Sequence, residues 1–147
     1  MIARCFVLIG ALVLSSCALA TAAEDDSEVF LFSMGLDEQS ELVWAMKQSR
    51  LQAIPVWKPG GNQEAPLSPN KAVTVADEYV QNTLGVQGAT AFTIHLMQLG
   101  LTDNHWAYDI GFTTNPPLYS DDPRLEHVHV AMDGKVIVPE KRPRRPH

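Results

Sequence analysis

The chain has 147 residues, 46% of them hydrophobic and 19% charged, with a formal net charge of -6. That is the length of one ordinary domain, with the apolar content of a globular protein rather than a disordered one. No fixed-period repeat runs through it, which excludes solenoids, collagen-like segments and long coiled coils.

Residues 1–23 have the order of a secretory signal peptide: Arg4, an apolar run from Phe6 to Leu14, then the small residues around Ala18, Ala20 and Ala22. The run falls well short of the ~20 apolar residues that cross a bilayer. No later run is longer, so no transmembrane segment is expected in the mature chain. Ala18-Leu19-Ala20 and Ala20-Thr21-Ala22 suit a general signal peptidase, whereas Leu14-Ser15-Ser16-Cys17 resembles a bacterial lipobox, whose cleavage would leave Cys17 lipid-anchored. Either route predicts an exported protein, in the periplasm or at the cell surface of a bacterium. The only cysteines, Cys5 and Cys17, both lie in this leader. The mature domain therefore has no disulfide, thiol nucleophile, CxxC couple or cysteine-bound zinc.

Without Arg4 the chain keeps 10 basic side chains against 17 acidic ones, a net of -7. An acidic body excludes a nucleic-acid binder, which needs a basic face. The acids Glu24, Asp25, Asp26 and Glu28 open the mature chain. The bases Lys141, Arg142, Arg144 and Arg145, broken by Pro143 and Pro146, close it. Residues 140–147 are expected to be a solvated, disordered tail, with contact to anionic lipid or polysaccharide as the alternative.

Val29-Phe30-Leu31-Phe32 reads as a short strand. Residues 37–50 read as a helix capped by Asp37, with Leu42, Ala45 and Met46 on its apolar side and Lys47 and Arg50 in its last turn. Pro55 and Pro59-Gly60-Gly61 break the chain into a loop, to which Trp57 is an anchor. Residues 68–85 carry the clearest helix: Ser68 caps it, Pro69 occupies its first position and Gly85 ends it. Its apolar face is Ala72, Val75, Ala76, Tyr79, Val80 and Thr83.

Beyond Gly88 the period changes to two. Phe92, Ile94 and Leu96 alternate with Thr93, His95 and Met97; Trp106, Tyr108, Ile110 and Phe112 with Ala107, Asp109 and Gly111; Val128 and Val130 with His127 and His129. Three such segments, a long polar loop over 114–124 and a tight turn at Asp133-Gly134 predict an antiparallel meander. The fold class expected is α+β: a long helix packed on the Phe92/Trp106/Val128 face of a four-stranded antiparallel meander, with an N-terminal strand and helix. The expected division is a signal peptide (1–23), an N-terminal strand/helix extension and loop (24–67), a helix-plus-sheet domain (68–139) and the basic tail (140–147).

That alternation sends His95, Asp109, His127 and His129 to the sheet's open face. Residues two apart on a strand share a face at roughly 6.5–7 Å, within reach of one metal ion. Three imidazoles and a carboxylate suit zinc or copper. A solvated polar face accounts for the same residues without any metal. Asp121-Asp122 could hold calcium but lacks EF-hand spacing and reads better as a polar turn. There is no G-x-S-x-G elbow and no phosphate-binding glycine loop, and the paired carboxylates are sequence neighbours that diverge. No catalytic residue is assigned. An unrecognised hydrolase with a cleft framed by the long loops is the third class.

The order Ser68-Pro69-Asn70-Lys71-Ala72 opening a helix, then strands, then the hairpin Val130-Ala131-Met132-Asp133-Gly134-Lys135-Val136 resembles the PepSY-type modules of exported bacterial proteins, and cystatin-like folds more broadly. The resemblance covers about half of the mature chain; residues 24–67 have no counterpart in it. It implies a non-catalytic module that binds or modulates an envelope protein or a peptidase. A periplasmic zinc or copper protein using the histidine face is the alternative.

Overall fold

The computed structural model describes residues 27–100, 104–114 and 123–144. The predicted signal peptide with Cys17, and the pair Asp121-Asp122, lie outside the described residues. The elements in chain order are β1 (Glu28–Gly35), β2 (Ser40–Lys47), α1 (Gln48–Ala53), α2 (Pro69–Asn82), β3 (Thr90–Leu99), β4 (His105–Thr113), α3 (Pro123–Glu126), β5 (Val128–Ala131), β6 (Val136–Ile137) and β7 (Glu140–Pro143). They form two antiparallel sheets, β1-β2-β7 and β3-β4-β5-β6.

The α+β class built on a long helix is therefore overturned. The described chain is mostly β, and its longest helix, α2, has 14 residues. The decisive difference lies in residues 37–50, expected to be helical. Leu42, Trp44 and Met46 are buried at every second position of β2, and Val43 between them is buried as well. That run is a strand buried on both sides, and its Leu42/Ala45/Met46 spacing imitates a helical stripe. Asp37 still acts as a cap, but of the β1–β2 loop: its Oδ1 accepts from the backbone N–H groups of Gln39 at 2.8 Å and Ser40 at 2.6 Å, and its Oδ2 accepts from the Ser40 hydroxyl. Only after Lys47 does the chain turn helical, for the six residues of α1.

Helix α2 begins as its capping residues dictate. Ser68 Oγ accepts from the Lys71 N–H at 3.3 Å, Pro69 occupies the first turn, and Ala72, Ala76 and Val80 are buried. These small residues let α2 lie close over one face of the second sheet, where Tyr108, Ile110, Val128 and Val130 are buried and register side by side. The Tyr108 hydroxyl donates to the Leu67 carbonyl at 3.1 Å, fastening that face to the residue before the helix cap. At the Asp133-Gly134 turn, Gly134 takes a φ of 77°, which only glycine adopts without strain, and the Lys135 N–H donates to Asp133 Oδ1 at 3.1 Å.

Two expectations about individual faces are corrected. Phe92, Ile94 and Leu96 do not pack under the helix; they are 63%, 43% and 39% exposed. Trp106, placed by its alternation on the face under the helix, is only half-buried, whereas its neighbour His105 is buried. Trp57 is half-buried against the core, its indole N–H donating to the Gln63 carbonyl at 3.0 Å. Residues 140–143 of the expected tail are strand β7, with Ser40 opposite Pro143 and Val43 opposite Glu140.

Candidate metal centre

The second face of the β3–β6 sheet carries the polar row. Asp109 on β4 registers with His95 on β3 and with His129 on β5, and His129 in turn with Ile137 on β6. His127 precedes β5, two residues from His129, and so shares its side. The expected open face does not exist at Asp109, His127 and His129. The β1–β2 hairpin lies over it: the Phe32 ring is 5.7 Å from that of His127 and 6.0 Å from that of His129, and the Trp44 ring is 5.3 Å from His129. His129 is left 2% exposed, His127 30% and Asp109 19%.

Two imidazoles converge on one carboxylate. His127 Nδ1 stands 3.2 Å and 3.1 Å from the two oxygens of Asp109, and His129 Nε2 stands 3.3 Å from Oδ1. Burial alone would push the Asp109 carboxyl up. Hydrogen bonds and charge from His129, and then from His127, outweigh that and hold it below the ordinary carboxylate value. The other ring nitrogen of His129, Nδ1, is buried with no hydrogen-bond partner, as is Nε1 of Trp44.

One donor atom from each of Asp109, His127 and His129 lies within 4.8 Å of the other two. A tetrahedral zinc ion with bonds of about 2.0–2.1 Å separates neighbouring ligand atoms by about 3.3–3.4 Å. The two nitrogen–oxygen edges are close to that length, and the nitrogen–nitrogen edge, within 4.8 Å, closes if the imidazoles approach by at most about 1.5 Å. Three protein ligands would leave a fourth position for water or a further ligand. His95 stands apart. It is exposed and belongs to the row by register alone, outside the three-residue cluster.

Of the four residues predicted from alternation, the fold thus gathers three. The reading missed the cover, Phe32 and Trp44. The alternation Leu42/Trp44/Met46 agrees with a strand at Trp44, but the same run also satisfies a helical stripe. Neither family models, curated protein sequences nor solved structures give a match to this chain.

Proposed function

We propose that this chain is an exported metal-binding module, in which His129, His127 and Asp109 hold one zinc or copper(II) ion beneath the Phe32/Trp44 cover. One observation carries the reading: two imidazole nitrogens stand 3.1 Å and 3.3 Å from one carboxylate, close to the spacing of neighbouring metal ligands, in a site where His129 is 2% exposed. A merely solvated polar face would leave that histidine in water. Burying a polar ring costs free energy unless its nitrogens find partners, and a metal supplies a stronger partner than the single carboxylate. The donor set, two nitrogens and one oxygen, suits zinc and copper(II) over calcium or magnesium. The expected signal peptide agrees with a place in the envelope, where such ions are met.

Two imidazoles and a carboxylate with room for a fourth ligand also make up catalytic zinc sites; the reading is of a bound ion, and no reaction is assigned to it. The metal reading stands ahead of the peptidase-modulating or envelope-binding role that the PepSY-type resemblance implies, since no residue of this site depends on that resemblance.

Thermal unfolding with and without zinc tests it. An ion bound only to the folded state raises stability by about 2.7 kcal/mol at a hundredfold excess over its dissociation constant. The wild type should shift upward with zinc or copper(II), and Asp109→Asn and His127→Ala should lose the shift while remaining folded. An unchanged shift in both variants, or none in the wild type, overturns the reading.

A further inference from the structure

Every sheet edge must be kept from pairing with other strands, and among the described residues three of the four edges carry ordinary protections. Strand β1 starts with Glu28, which is held by Arg142, and is bulged between Phe30 and Phe32. Strand β6 has two residues, and β7 carries Glu140, Lys141, Arg142 and Pro143. Charge, proline, brevity and bulging all blunt an edge. The fourth edge, β3, is ten residues long, without proline and without any Asp, Glu, Lys or Arg. Its only irregularity is a bulge near its start, between Ala91 and Thr93.

Among the described residues, β3 pairs with β4 alone. Ile94 and Leu96 register with Ile110 and Tyr108, both of which are buried, yet are themselves 43% and 39% exposed. Among the described residues, the core therefore runs out at Ile94 and Leu96 along an uncharged edge with no strand beside it. A charged partner would find no complement on this strand. For two copies of a chain whose net charge is -6, it is also a line of approach along which like charges do not meet.

We propose that β3 pairs antiparallel with β3 of a second copy about a two-fold axis at His95, joining two four-stranded sheets into one of eight. An isologous contact of this kind is the commonest way soluble chains close an assembly. In that register Ile94 of each copy faces Leu96 of the other. Antiparallel partners share a face, so Ile94 and Leu96 of both copies meet on one side, and the two His95 rings meet on the other. A single strand pair buries little area, so the dimer forms at roughly micromolar concentrations.

The test uses the full chain with Cys5 and Cys17 changed to Ser, weighed by sedimentation across a concentration series. A dimer is expected, and Ile94→Lys, which sets a charge against the partner strand, should weaken it by roughly tenfold or more. In the same background His95→Cys should form a covalent dimer on mild oxidation, because paired Cα atoms at about 4.5–5.5 Å suit a disulfide. A monomer throughout the series overturns the proposal. So does a dimer in which His95→Cys gives no crosslink, and the crosslink decides the matter if Ile94→Lys fails to fold.

Discussion

The indole of Trp44 and the imidazole of His129 lie 5.3 Å apart at an interplanar angle of 48°. Through this pair the first sheet closes over the second, and the polar row Asp109–His129 becomes an interior rather than a surface. Packing and site are thus one feature, and changes to the cover test both.

Truncating the cover should unfold much of the molecule's margin. Trp44 is fully buried, and Trp44→Ala is expected to cost about 3–5 kcal/mol, the range for large aromatic truncations in a core. Trp44→Phe should cost clearly less. Urea denaturation of the two variants beside the wild type measures both.

Copper(II) bound at His127 and His129 would lie close to the same indole. Titration with copper(II) should quench a part of the tryptophan emission that is already missing in Trp44→Phe, leaving the emission of Trp57 and Trp106 largely intact. Steady-state fluorescence of the two proteins distinguishes this from general quenching, in which both would lose the same fraction.

Acid should weaken the metal-free fold through Asp109. Its folded-state value lies below the ordinary 3.8, so the folded state binds its proton less readily than the unfolded chain does. Its contribution is fully present above the unfolded value and is lost as pH falls through the lower, folded value. With a chelator present, urea midpoints below about pH 4 should fall more steeply in the wild type than in Asp109→Asn, which has no carboxyl to protonate.

Gly111 is the point where β4 tolerates no side chain. A Cβ there would stand 2.5 Å from Thr93 Oγ1 and 3.2 Å from both the Glu126 carbonyl and the Phe92 ring. Gly111→Ala should therefore destabilise by about 1–3 kcal/mol. Adding Thr93→Ala, which removes the nearest atom, should recover part of that loss in a double-mutant cycle.

The donors of this site were legible in the sequence because they follow from local periodicity. His127 and His129 share a strand side by their spacing, and Asp109 falls into phase with them through the alternation around Trp106, Tyr108 and Ile110. The capping residues Ser68 and Pro69 likewise announce α2. What covers the donors was not legible. Leu42, Val43, Trp44, Ala45 and Met46 satisfy a strand buried on both sides as well as a helical stripe, and only pairing with β1 and β7 decides between them. That pairing joins residues from opposite ends of the chain, which no local pattern encodes. The exposure of Phe92, Ile94 and Leu96 was hidden for a similar reason: alternation fixes that two faces differ, and not which one a helix of small residues will cover.

The first sheet draws β1 and β2 from one end of the described chain and β7 from the other, and Arg142 reaches across to Glu28 with its Nη1 donating at 2.7 Å. A chain that emerges N-terminus first can form the β1–β2 hairpin early, but it cannot complete that sheet until residues 140–143 have appeared. Contacts so distant in sequence are slow to form. During synthesis the hairpin should thus remain open at its β7 side, so that closure over the histidines is a late event in the molecule's history.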